Sequence, residues 1–117
     1  MASDFIRKAQ KIHDNFVKER DWEQFHSPKN IAMALSVEVS ELMENFLWKT
    51  DQESFLLGNK QNVKDEIADV FCYLIRLADL LDVDIETEFL QKMEKNRQNY
   101  PIDLIKGKVI KHTELHQ

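Results

Sequence analysis

Apolar residues return along most of this chain at three- and four-residue intervals, the spacing that builds one face of an α-helix. Phe5, Ile6, Ala9, Ile12, Phe16 and Val17 form the first such stripe and predict a helix over 4–20, with Ser3 as its N-cap. Ser27-Pro28 starts a second helix, because a capping serine is followed by a residue with no N–H left to satisfy. Its stripe runs through Ile31, Ala34, Leu35, Leu42 and Phe46 to about Trp48. Residues 49–61 read as a linker with helical content at most, turning at Gly58-Asn59. The third helix, 62–81, is apolar on more than one face (Val63, Ile67, Val70, Phe71, Leu74, Ile75), which predicts a central position. Asp84 caps a fourth, with Ile85, Phe89 and Met93 as its stripe and Pro101 as its stop. Beyond it, 102–117 is rich in lysine and aperiodic, an extended or mobile tail touching the body through Ile102, Leu104 and Ile105. The expected fold class is therefore all-α with four long helices, a domain over 1–101 and a tail over 102–117.

Composition narrows the function without naming it. Two glycines and two prolines in 117 residues leave little material for hairpins and fit long helices. A net charge of −5 argues against a basic face for a nucleic-acid polymer. The chain shows neither a signal peptide nor an apolar run of membrane length, so a cytoplasmic protein with no membrane partner is expected. Cys72 stands in the apolar run Val70–Leu74, where a structural thiol is expected rather than a nucleophile.

Chemistry enters with Glu38-Val39-Ser40-Glu41 and Glu66-Ile67-Ala68-Asp69. Each places two carboxylates three residues apart on one helix face, inside an apolar segment. Four such groups on facing helices repel one another unless a cation lies between them. A hard, oxygen-seeking ion such as Mg²⁺ suits them, and a phosphate-bearing substrate suits the ion. Zinc is excluded for lack of a Cys/His cluster, and no Gly-rich phosphate loop is present. Solvated helix faces also produce such pairs, as Glu44 illustrates, so a non-catalytic helical interaction module is the rival reading. His13 borders the first apolar stripe, where a boundary histidine is the simpler expectation. Trp22 and Phe25 in the polar connection 20–26 can cover a core or stack on a flat base.

Glu38-x-x-Glu41 and Glu66-x-x-Asp69, with 24 residues between them, resemble the metal motif of the all-α nucleoside triphosphate pyrophosphatases, the MazG-like superfamily. Arg20-Asp21-Trp22-Glu23-Gln24-Phe25-His26, Pro28-x-Asn30, Phe46-x-Trp48-Lys49 and Lys92-Met93-x-x-Asn96-Arg97-x-x-Tyr100-Pro101 are similar to its dCTP pyrophosphatase branch, as is Thr113-Glu114-Leu115. The resemblance implies Mg²⁺-dependent hydrolysis of a nucleoside triphosphate, such as dCTP, to the monophosphate and pyrophosphate, in nucleotide-pool sanitation. It implies that Glu38, Glu41, Glu66 and Asp69 hold the metal and form the catalytic centre, with Glu41 or Glu38 orienting the attacking water. Lys92, Asn96 and Arg97 would face the phosphates. His13, Trp22, Trp48 and Tyr73 would surround the nucleoside, with the tryptophans stacking on the base. His26 would bind substrate or fix its loop. The resemblance also implies a four-helix core completed by oligomerisation, as a homodimer or homotetramer. Ser36, Ser40 and the linker length depart from the branch, which leaves modified dCTP, dTTP, dUTP or a broad range open as substrates.

Overall fold

A computed structural model describes residues 4–115, so the predicted cap Ser3 lies outside the described residues. The helices are α1 (Asp4–Glu19), α2 (Pro28–Glu44), α3 (Asp51–Ser54), α4 (Gln61–Leu80), α5 (Ile85–Asn99), α6 (Ile102–Ile105) and α7 (His112–Leu115), and no strand occurs among the described residues. The all-α expectation holds, and the four long helices fall close to their predicted bounds. Local chemistry explains why. Ser27 Oγ accepts from the Asn30 amide at 3.1 Å with Pro28 at the first helical position. Asp84 accepts from the Thr87 amide to open α5.

α2 ends sooner than its apolar stripe, at Glu44. The Asn45 side chain donates to the carbonyls of Glu41 and Leu42, closing the helix, and accepts from Asn62 at 2.8 Å. The end of α2 is thereby tied to the start of α4. The linker is more ordered than its sequence suggests. Thr50 and Glu53 form a reciprocal capping box around α3, and Leu57, in a 3₁₀ turn over Leu57–Asn59, is buried. The tail, expected extended, contains the short helices α6 and α7; Ile105 is half-buried while Ile102 is exposed.

α4 is central, as its apolar faces predict, packing most extensively on α2 and next on α1. Val17, Ile31, Val63 and Ile75 are buried between them, and Gln10 Nε2 donates to the Ile75 carbonyl at 3.0 Å. The fourth long helix departs from expectation: α5 makes no extensive contact with α1, α2 or α4. Asp82, in the left-handed region at φ 55°, turns the chain after α4, and α5 leaves the body. The radius of gyration is accordingly 17.8 Å, against about 13 Å for a compact chain of this size. Phe89, Leu90 and Met93 on α5 and Met33, Val37 and Met43 on α2 remain exposed. No described helix is long and apolar enough to cross a membrane.

Candidate active site

The packing of α2 against α4 brings carboxylates from both helices into one place. Oxygens of Glu38, Glu66 and Asp69 lie within 4.8 Å of one another. Glu38 and Glu66 are half-buried, and Oε2 of each is buried without a hydrogen-bond partner. Buried carboxylate oxygens demand a donor or a cation. An all-oxygen donor set with two orphaned atoms fits a hard divalent ion. Glu41 does not join this trio. It follows Glu38 by three residues, which rotates it by about 60° around the helix, and it stands exposed at the edge. It stays near enough to raise the proton affinity of Glu38 and Tyr73.

Burial pushes the Glu38 carboxyl up from 4.5 to about 7, aided by a hydrogen bond with Glu66 and by the charges of Glu41, Glu66 and Asp69. The folded chain then keeps a proton that the unfolded chain has already lost. Stability attributable to this group therefore falls as pH rises from 4.5 to about 7. Glu38→Gln removes the penalty. In a chelator at pH 8 this variant should melt about 4 °C above the unsubstituted protein, the response to roughly 1 kcal/mol in a domain of this size. Near pH 5 the two melting curves should converge. A calorimetric pH series in which the variant melts lower at pH 8 would contradict the assignment of Glu38 as a strained carboxyl.

Beside the trio lies a cavity of about 790 Å³ whose walls include Phe5, His13, Phe16, Trp22, Asp69 and Tyr73. Its aromatic wall is built ring on ring. His13 meets Tyr73 edge-on at 6.3 Å, Phe16 meets Trp22 edge-on at 5.7 Å, and the Arg20 guanidinium lies 3.8 Å from the centre of Phe16. His13 Nδ1 is buried and unpartnered, and burial followed by the Arg76 charge holds His13 below the usual histidine range. Tyr73 and Cys72 are both pushed upward by burial first, so the thiol stays protonated and unreactive, as a structural cysteine should.

Of the residues singled out in the sequence, Glu38, Glu66, Asp69, His13, Trp22 and Tyr73 converge, with His26 beside them at 6.1 Å from His13, ring to ring. Trp48 does not. It is 97 % exposed and adopts φ 64°, outside the cavity wall. Lys92, Asn96 and Arg97 are also not brought to the site within one chain, because α5 projects from the body. Arg97 instead pairs with Glu94 at 3.0 Å. Sequence reasoning missed Arg76 and Asp14, which join at 2.9 Å behind His26. The available signal was a lone arginine inside the apolar run of α4, on the same face as Asp69 and Tyr73.

A carboxylate trio opening into an aromatic cavity invites comparison with known proteins. The MazG-like family pattern matches residues 33–115. This chain belongs to the MazG-like family. Two curated relatives are dCTP pyrophosphatase 1 from Rattus norvegicus, 41% identical, and from Homo sapiens, 43% identical. Both matches span 94% of this chain and 67% of the relative. The fold also resembles the crystal structure of a pyrophosphatase from Archaeoglobus fulgidus, with a TM-score of 0.78 and 36% identity. That match covers 86% of this chain and 96% of the other. In this MazG-like chain the acidic seam of α2 and α4 lies beside the aromatic wall that α1 helps to build.

Proposed function

We propose that this protein hydrolyses dCTP to dCMP and pyrophosphate, acting as a Mg²⁺-dependent nucleoside triphosphate pyrophosphohydrolase in nucleotide-pool sanitation. The observation that carries the reading is the double membership of Asp69, which belongs both to the carboxylate trio and to the cavity wall. A triphosphate held at the trio therefore has its nucleoside beside His13, Trp22 and Tyr73. The curated relatives at 41% and 43% identity bear the name dCTP pyrophosphatase 1, which supports dCTP as the substrate.

Glu38, Glu66 and Asp69 would hold the metal, with Glu41 at the open edge. The bound ion supplies charge neutralisation on the triphosphate and polarisation of the anhydride. Glu41, exposed and outside the trio, is free to accept a proton from the water that attacks between the first and second phosphates. Trp22 offers a face for base stacking, and neutral His13 offers one ring nitrogen to the nucleoside. A cytoplasmic location would suit action on the free nucleotide pool.

Lys92, Asn96, Arg97 and Trp48, which stand apart from the trio and the cavity wall of their own chain, would be supplied to the site by a second copy. The exposed apolar residues of α5 and α2 support a homodimer or homotetramer in which the uncovered faces pair. The test is a substrate panel on purified protein with Mg²⁺, covering dCTP, 5-methyl-dCTP, dUTP, dTTP and dATP. Equimolar pyrophosphate and dCMP from dCTP, without orthophosphate, is the expected result. Absence of turnover across the panel would return the protein to the class of helical interaction modules.

A further inference from the structure

Arg76 is the buried charged residue among the described residues, at 5 % exposure. It follows Tyr73 by three residues and Asp69 by seven, so Glu66, Asp69, Tyr73 and Arg76 run along one face of α4. A guanidinium withdrawn from water is destabilising unless its donors are used. Here Nε donates to His26 Nδ1 at 3.2 Å, and Nη1 donates to Asp14 Oδ1 at 2.9 Å. Asp14 is held in turn by Lys18 Nζ at 2.8 Å. One side chain of α4 thus fastens α1 and the 20–26 segment together, behind the wall that carries Trp22 and His13.

Arginine has no acceptor, so the bond at 3.2 Å decides the state of the imidazole. Nδ1 of His26 must be unprotonated, and the ring proton must sit on Nε2. His26 is therefore a hydrogen-bond donor at its second nitrogen. We propose that Arg76 is a positioning residue for nucleobase recognition, acting through His26 to present one defined donor for a carbonyl oxygen of the base. This rests on the nucleotide-hydrolase reading above. Burial and the Arg76 charge both hold His26 below the usual histidine range, which keeps the ring neutral at physiological pH.

The experiment uses the full chain with Arg76→Met, Arg76→Lys, His26→Ala and the double variant of Arg76→Met with His26→Ala. Long-range ¹⁵N–¹H spectra of the unsubstituted protein should show His26 as a single Nε2–H tautomer. Arg76→Met should show a mixture of tautomers. Calorimetric affinity for dCMP should fall about tenfold in Arg76→Met and in His26→Ala, the scale of one hydrogen bond supported by a charge. The double variant should lose no more than either single one, because both remove the same donor. Should Arg76→Met fail to fold, Arg76→Lys keeps the charge against Asp14 and should still release the His26 tautomer. Additive losses, or an unchanged tautomer in both arginine variants, would overturn the proposal. A protein that binds dCMP with the expected losses yet hydrolyses no triphosphate would overturn only the hydrolase reading. Absence of dCMP binding by the unsubstituted protein would sink both.

Discussion

Asp69→Asn should leave the helices intact and remove turnover. Asp69 is exposed on α4, and no packing depends on its charge, so circular dichroism and the melting profile should change little. Its oxygen is nevertheless one of the three that meet within 4.8 Å, and the same residue borders the cavity. On the proposed reading Asp69 would be a direct metal ligand, and its loss should exceed the cost of disturbing a residue behind one, which is typically about 10- to 100-fold. We therefore expect kcat for dCTP to drop by more than about 100-fold. The rise in melting temperature expected on adding Mg²⁺ to the unsubstituted protein should be absent in this variant. Glu44→Gln, one turn beyond Glu41 on an exposed stretch of α2, serves as the control and should retain full activity. Activity in Asp69→Asn within tenfold of the unsubstituted protein would refute the trio as the reaction centre.

The sequence displayed this carboxylate cluster because its periodicity is local. Two carboxylates three residues apart in an apolar helix must share a face, whatever the tertiary fold. The apolar character of α4 then places that face against another helix. The caps Ser27 and Asp84 are equally local, which is why those two helix starts were legible. Placement across elements was not. The spacing 38/41 sets Glu41 beside Glu38 on α2, but its exposed place at the edge of the trio follows only from the packing of α2 on α4. Arg76 looked like one charge among sixteen basic residues; only the folded chain brings Asp14 and His26 to it, 62 and 50 residues away in sequence. Trp48 shows the same limit. Its left-handed φ of 64° is a product of the turn closing α2, and it carries a strain of about 1–2 kcal/mol that a tryptophan does not reveal in one dimension.

Two inactive variants should restore each other's activity when mixed. The carboxylate trio lies on α2 and α4, whereas Lys92, Asn96 and Arg97 lie on α5, which makes no extensive contact with those helices in the same chain. If a complete site draws its acids from one copy and its α5 residues from another, Asp69→Asn destroys only the first contribution. Lys92→Ala combined with Asn96→Ala destroys only the second. After joint unfolding and refolding, half of the dimers should be mixed, and one of the two sites in each should be intact. That returns about a quarter of the unsubstituted activity in a two-fold assembly. Phe89→Asp should block the rescue, because it places a charge within the exposed apolar stripe that would form the contact. Size-exclusion chromatography should show this variant as a smaller species than the unsubstituted protein. Failure of rescue in samples proven to contain mixed oligomers would mean that each site is built within one chain, and α5 would then have to fold back onto α2 and α4 when substrate binds.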